Sequence, residues 1–254
     1  MKLQILGSGT STGVPEIGCT CAVCTSTDVR DCRTRTSALL QSDDATILID
    51  CSPDFRAQLL RAHLFQKIDG VLLTHEHYDH VGGLDDLRPF CRYGAIPLYS
   101  DAYTAAHLRL RMPYCFVDAS YPGIPQLTLH EIAAGERFFI GRTPVEAFEV
   151  MHGKLPILGY RIGGRFGYIT DMSELPEASY RRLHGLDLLV VNALRLQPHP
   201  THQTIAQAIE VAGRIGAKQT YFIHLSHGAG LHAELSEQLP PSIHLGYDQA
   251  EIYF

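Results

Sequence analysis

No apolar run in the 254-residue chain approaches the roughly 20 residues of a membrane span. The N-terminal stretch Met1-Lys2-Leu3-Gln4-Ile5-Leu6-Gly7 is too short and too little apolar for a signal peptide. The expectation is a soluble, cytoplasmic protein with no membrane partner. Lysine is scarce, and acidic residues outnumber basic ones by 27 to 21, a formal charge of −6. That balance argues against general nucleic-acid binding, which depends on neutralising phosphates with Lys and Arg. Charged residues are only 19%, and 22 Gly and 14 Pro are ordinary numbers, which excludes disordered, collagen-like and coiled-coil classes. No linker, low-complexity tract or internal repeat divides the chain. With 45% hydrophobic residues it can bury a substantial core, and a single domain over 1–254 is expected.

What the chain has in excess is histidine, 14 residues, and a cysteine cluster within an odd total of seven. Cys32, Cys51, Cys91 and Cys115 stand singly and read as small hydrophobes in a reducing compartment. Cys19, Cys21 and Cys24 are crowded together.

Apolar patterning predicts strands at Lys2–Leu6, Gly70–Thr74, Pro97–Tyr99, Gln126–Glu131, Arg137–Ile140, Pro144–Val150, Ile157–Ile162, Phe166–Thr170, Leu186–Val191, Gln219–Ile223 and Gln249–Phe254. Ser37–Gln41 and Ala45–Asp50 read as a hairpin. Helices are predicted at Pro53–Leu64, Leu84–Arg92, Tyr103–Arg111, Pro176–Leu183, Thr204–Ile215 and Leu231–Leu239. Interleaved strands and helices with polar clusters at strand ends suggest one α/β domain of two helix-covered sheets. The segment Gly7-Ser8-Gly9-Thr10-Ser11-Thr12-Gly13 has neither the Gly-Lys-Ser/Thr ending nor the helix of a phosphate-binding loop, so it predicts a tight turn close to a site.

The segment Thr74-His75-Glu76-His77-Tyr78-Asp79-His80 places four candidate ligands, His75, His77, Asp79 and His80, directly after an apolar strand. Imidazole and carboxylate suit Zn²⁺, Mn²⁺ or Fe²⁺. His152, Asp171 and His224 each follow a further predicted strand. Cys19-Thr20-Cys21-Ala22-Val23-Cys24 can converge three thiolates on one ion, and His227 is the best candidate for the fourth ligand of a tetrahedral zinc.

His-x-His-x-Asp-His, followed in order by a His, an Asp and a His, resembles the metallo-β-lactamase-fold hydrolases. The resemblance implies an αββα sandwich with a dinuclear centre between the sheets. It assigns His75, His77 and His152 to one divalent ion (zinc or manganese) and Asp79, His80 and His224 to the other, with Asp171 bridging. The Cys-x-Cys-x-x-Cys cluster with its structural zinc is similar to the phosphoribosyl cyclic phosphate phosphodiesterases of the carbon–phosphorus lyase pathway. A pyrroloquinoline-quinone-biosynthesis protein of the same fold shares it. By the same resemblance His202, 22 residues before His224, is an additional catalytic histidine beside Asp79. His199 competes for that role. No family motif matches across Arg92–Pro125, which is expected to shape the substrate pocket.

The implied function is a metal-dependent phosphodiesterase acting on a small or cyclic phosphodiester, with a homodimer compatible. A transfer-RNA 3′ endonuclease would carry a Lys/Arg-rich arm that is not visible here. A glyoxalase-type thioesterase or lactonase would not need the cysteine cluster, and a non-catalytic cofactor-biosynthesis protein would be expected to lose ligands. Arg33, Arg35 and Arg88 are open to two roles, substrate phosphate binding or salt bridges.

Overall fold

In the computed structural model, which describes residues 1–116 and 123–254, two seven-stranded sheets stack face to face. The first has the order β14-β1-β2-β3-β4-β5-β6 and is built from β1 (Lys2–Gly7), β2 (Ser37–Gln41), β3 (Thr46–Ile49), β4 (Gly70–Leu72), β5 (Ile96–Ser100), β6 (Leu127–Glu131) and β14 (Glu251–Tyr253). The second runs β13-β12-β11-β10-β9-β8-β7, from β7 (Arg137–Ile140), β8 (Thr143–His152), β9 (Leu155–Ile162), β10 (Phe166–Tyr168), β11 (Leu188–Asn192), β12 (Gln219–Ile223) and β13 (Ile243–Leu245).

Each sheet mixes antiparallel hairpins with parallel strands: β3 to β6 are parallel in the first, and β10 to β13 in the second. Parallel strands are buried on both faces, which is why they read as continuous apolar runs rather than alternating ones. Leu188 and Val190 of β11 enter the layer between the sheets, while Leu189 and Val191 face the helices outside. Ile47 and Ile49 of β3 point inward in the same way, and Leu48 points out.

The outer layers are α1 (Phe55–Ala62), α2 (Tyr78–Val81) and α3 (Ala102–Arg111) on the first sheet. On the second lie α4 (Glu177–Arg182), α5 (Ile205–Ile215) and α6 (His232–Ser236). Helix α5 shows why such segments fold. Ile205, Ala208, Val211, Ala212 and Ile215 form one buried stripe, Thr204 and Gln207 make a capping box, and Gly216 closes the end at φ 70°. The expected αββα sandwich is therefore the observed one.

Several boundaries differ from those predicted. Leu84–Tyr93 is a 3₁₀ helix rather than an α-helix, with Pro89 inside it removing a backbone donor. The C-terminal helix spans only His232–Ser236, and β13, a three-residue strand, carries too little pattern to be read from sequence. The Arg92–Pro125 region includes α3 and the 3₁₀ turn Pro113–Cys115, with 117–122 outside the described residues.

The glycine-rich loop after β1 packs closely against its neighbours, as a tight turn should. A Cβ on Gly7 would lie 2.0 Å from the Arg35 carbonyl oxygen, and one on Gly9 would lie 2.9 Å from Arg33. Thr10 N–H donates to the Leu225 carbonyl and Leu225 N–H to that of Ser8, which ties the loop to the segment between His224 and His227.

Candidate metal centre

The parallel strands of both sheets end at one edge, and all the ligand-type side chains but His152, which ends the antiparallel β8, are delivered from those ends. His75, His77, Asp79 and His80 follow β4, with Asp79 and His80 on the single turn of α2, which Val81 pins into the apolar layer. His152 is the last residue of β8, not a residue beyond it as expected, while Asp171 follows β10 and His224 follows β12. Asp171 and His224 have φ values of 53° and 56°. Left-handed backbone is costly for such residues and persists where the surroundings impose it, commonly at functional sites. Here it turns both side chains into the cleft.

Two groups result, His75–His77–His152 and Asp79–His80–Asp171–His224, and a third, His152–Asp171–His202, overlaps both. Asp171 Oδ1 lies 3.1 Å from His80 Nε2 and 3.3 Å from His224 Nε2, while its Oδ2 lies 3.9 Å from His75 Nε2. One carboxylate oxygen thus faces each group. Asp79 Oδ2 is 3.2 Å from His80 Nε2 and 3.5 Å from His224 Nε2. Nitrogen and oxygen donors about 2.0–2.2 Å from one ion stand roughly 3.3–3.6 Å apart at tetrahedral angles. The separations among Asp79, His80, Asp171 and His224 are close to those of a coordination shell, while the 3.9 Å from Asp171 to His75 is longer.

The polar accounting agrees. His80 Nε2 and both ring nitrogens of His224 are buried and have no hydrogen-bond partner among the described residues. Buried polar atoms are almost always partnered, and a divalent cation would satisfy the Nε2 atoms of His80 and His224, which face Asp79 and Asp171. The residues fit two such ions. The ring orientations are set from behind: His80 Nδ1–H donates to Asp50 Oδ2 at 2.7 Å, and His152 Nδ1–H donates to the Thr201 carbonyl at 3.0 Å. Both leave Nε2 to face the cleft. Burial pushes the Asp50 carboxyl up, opposed by His80 and by hydrogen bonds from Thr74.

Asp50 was missed at the sequence level. It stands after an apolar strand at φ 55°, the same context that marked Asp171 and His224.

His202 packs over both groups, its ring centroid 4.8 Å from that of His152 and 5.0 Å from that of His224. Its Nδ1 is 3.9 Å from Asp171 Oδ2. His199 lies one ring further out, 5.0 Å from His202, so position favours His202 of the two. Burial pulls the His202 imidazole down to about 3, opposed by Asp171.

The cysteine cluster closes on the predicted fourth ligand. Cys19, Cys21 and Cys24 place Sγ at 3.2, 3.5 and 3.4 Å from His227 Nδ1. Sulfur at about 2.3 Å and nitrogen at about 2.0 Å from one zinc would stand roughly 3.5 Å apart, so the four residues fit a structural zinc. The other ring nitrogen of His227 is 3.4 Å from Glu16 Oε2, which orients the ring. The Cys24 backbone N–H donates to Cys21 Sγ and pulls that thiol down to about 6.

The arginines separate. Arg33 is buried and donates to Ser8 Oγ, to the Gly246 carbonyl and to His232 Nδ1, so neither reading holds for it: it is a framework residue. Arg88 makes two hydrogen bonds to Asp85, at 2.9 and 2.7 Å, which is the salt-bridge reading. Arg35 Nε is 2.9 Å from Asp54 Oδ2, and Arg35 also lines a cavity beside Asp79.

Residues 45–225 match the family described as the beta-lactamase superfamily domain. An octanoyltransferase of Porphyromonas gingivalis is 49% identical over 253 residues, 99% of this chain and 51% of its own, so the chain spans about half the length of that relative. A solved structure described as a new diphosphatase from the PhnP family is 41% identical at a TM-score of 0.91, covering 100% of this chain and 97% of that one. The Zn²⁺-bound PqqB of Methylobacterium extorquens shares the fold at a TM-score of 0.78 and 22% identity, covering both chains fully. With both sheets, the ordered ligand positions and the profile match in agreement, the chain belongs to the beta-lactamase superfamily.

Proposed function

We propose that the protein is a metal-dependent phosphodiesterase acting on a small phosphodiester. The observation that carries this reading is Asp171, one oxygen toward each ligand group, which is the arrangement of a two-ion hydrolytic site. When bound, two zinc or manganese ions would supply hydroxide at neutral pH and polarise the phosphoryl oxygens. Two divalent ions against two carboxylates leave the cleft positive, which draws an anionic substrate despite the acidic chain. The likeness to a PhnP-family diphosphatase over the whole chain supports phosphoric ester chemistry.

The protein's own part is to hold and move protons. Asp50 keeps the Nδ1 proton of His80, and Thr201 that of His152, so that both Nε2 atoms stay free to coordinate. Burial lowers the proton affinity of His202, and an anionic substrate against the ring would raise it. In this reading His202 is the proton donor to the leaving oxygen. Three reduced thiols in a zinc site are suited to a cytoplasmic location.

The experiment compares an aryl and a cyclic or alkyl phosphodiester on the metal-loaded protein and on its His202→Ala variant. Both esters should be hydrolysed by the wild type. The variant should lose about 10²–10⁴-fold on the alkyl ester and far less on the aryl one, because nitrophenolate leaves without a proton. Equal losses would make His202 a binding residue, and a lost ion would make it a ligand. A second reading comes from the octanoyltransferase similarity, since the same centre could polarise a thioester carbonyl. Turnover of octanoyl thioester with no hydrolysis of either diester would favour it and overturn the phosphodiesterase reading.

A further inference from the structure

A cavity of about 500 Å³ opens beside Asp79, lined by Ser11, Thr12, Glu16, Arg35 and Pro53, with Ile17 and Tyr78 among its walls. Ile17 has its entire side chain in solvent, and Tyr78 is 68% exposed. Single exposed apolar residues are ordinary on a protein surface. These two line the same cavity, at the edge of the ligand cluster, and both sit on anchored backbone. Tyr78 sits on α2 between the ligand-type residues His77 and Asp79. Ile17 rides on the cysteine knuckle: Cys19 N–H donates to the Glu16 carbonyl, Glu16 N–H donates to Cys24 Sγ, and the Glu16 carboxylate stands against His227.

The cavity therefore combines polar and apolar lining. Arg35 and the hydroxyls of Ser11 and Thr12 can receive phosphoryl or sugar oxygens, and the exposed side chains of Tyr78 and Ile17 can cover a flat ring. A bare methyl or cyclic phosphodiester would leave most of this volume to water.

We propose that this cavity is a specificity subsite, gripping a ring-bearing arm of the ester, nucleoside or aryl, between Tyr78 and Ile17. The cysteine knuckle then has a second purpose, to carry one jaw of the subsite. The inference rests on the phosphodiesterase reading for its substrate class, but its test does not need turnover.

The test measures binding of thymidine 5′-phosphate and of methyl phosphate to the metal-loaded protein by calorimetry, together with hydrolysis of the p-nitrophenyl diesters of the same two arms. Thymidine 5′-phosphate should bind more tightly than methyl phosphate. Tyr78→Ala and Ile17→Ser should each shrink that preference about five- to tenfold, the effect of losing one stacking or covering contact on a base. In hydrolysis, with a common leaving group, the change should fall on KM for the thymidine ester rather than on kcat. Phe139→Ser, which removes an exposed aromatic remote from the cavity, should alter neither ratio. Equal binding of the two ligands by the wild type, or a preference that survives both substitutions, would overturn the subsite. Failure of the wild type to hydrolyse either diester would overturn the phosphodiesterase reading while the binding preference still decides the subsite.

Discussion

Asp171 turns one oxygen toward each group of ligand-type residues, so in the proposed two-ion site its truncation would remove a donor from both at once. Asp171→Ala should therefore empty the dinuclear site, abolish hydrolysis and leave one zinc per chain at the cysteine knuckle. Elemental analysis of the purified variant checks this, and two further ions retained with near-normal turnover would sink the bridging role. Other single side chains act through their partners. Asp50 is wholly buried, touches no expected ion, and spends its oxygens on Thr74 and His80. It is a positioning residue. Arg33 is the opposite case, a cation whose hydrogen bonds go to neutral groups of the framework rather than to a substrate.

At the scale of elements, the segment from His224 to His227 joins two sites. His224 leaves β12 toward the catalytic cleft, and His227 reaches the three cysteines three residues later. Backbone bonds from Thr10 and to Ser8 clamp Leu225 between them. A zinc held by three thiolates and an imidazole contributes folding free energy directly, so Cys21→Ser should lose one zinc per chain and melt several degrees lower. Activity per folded molecule on a methyl ester should fall much less than stability does. A mutant with full zinc content and an unchanged melting temperature would show that the cysteines hold no metal.

At the scale of the whole molecule, early and late segments of the chain are woven into the same framework. Arg33 donates to His232 Nδ1 at 3.1 Å, and the His232 backbone N–H donates to Asp31 Oδ1 at 2.8 Å, which joins the loop before β2 to α6. Burial, reinforced by Arg33 and Arg30 and opposed by Asp28 and Asp31, pulls the His232 imidazole from 6.5 down to about 4. The folded state thus refuses a proton that the unfolded chain accepts. Its contribution is complete above pH 6.5 and is lost as pH falls toward 4, by an amount on the order of 2 kcal/mol. Denaturant midpoints measured across that window should drop, and His232→Gln should flatten the part of the slope due to this residue. An unchanged slope in the variant would assign the loss to other groups.

The sequence by itself determined the layers, the ligand types and their order. Strands buried on both faces write themselves as unbroken apolar runs, and a ligand motif compressed into His75–His80 survives as local pattern. Cys19, Cys21 and Cys24 are legible for the same reason, because neighbouring residues cannot help being close. Only the tertiary structure decided what depends on long-range approach. It brought Asp50 behind His80 from 30 residues away, set His202 rather than His199 against the ligand rings, and buried Arg33. It also turned Asp171 and His224 inward through left-handed backbone that no propensity favours. Propensity and periodicity act over one or two turns of chain, whereas these arrangements are fixed by two sheets closing on each other. At that closure the cost of strained or buried polar groups is offset by contacts from distant segments.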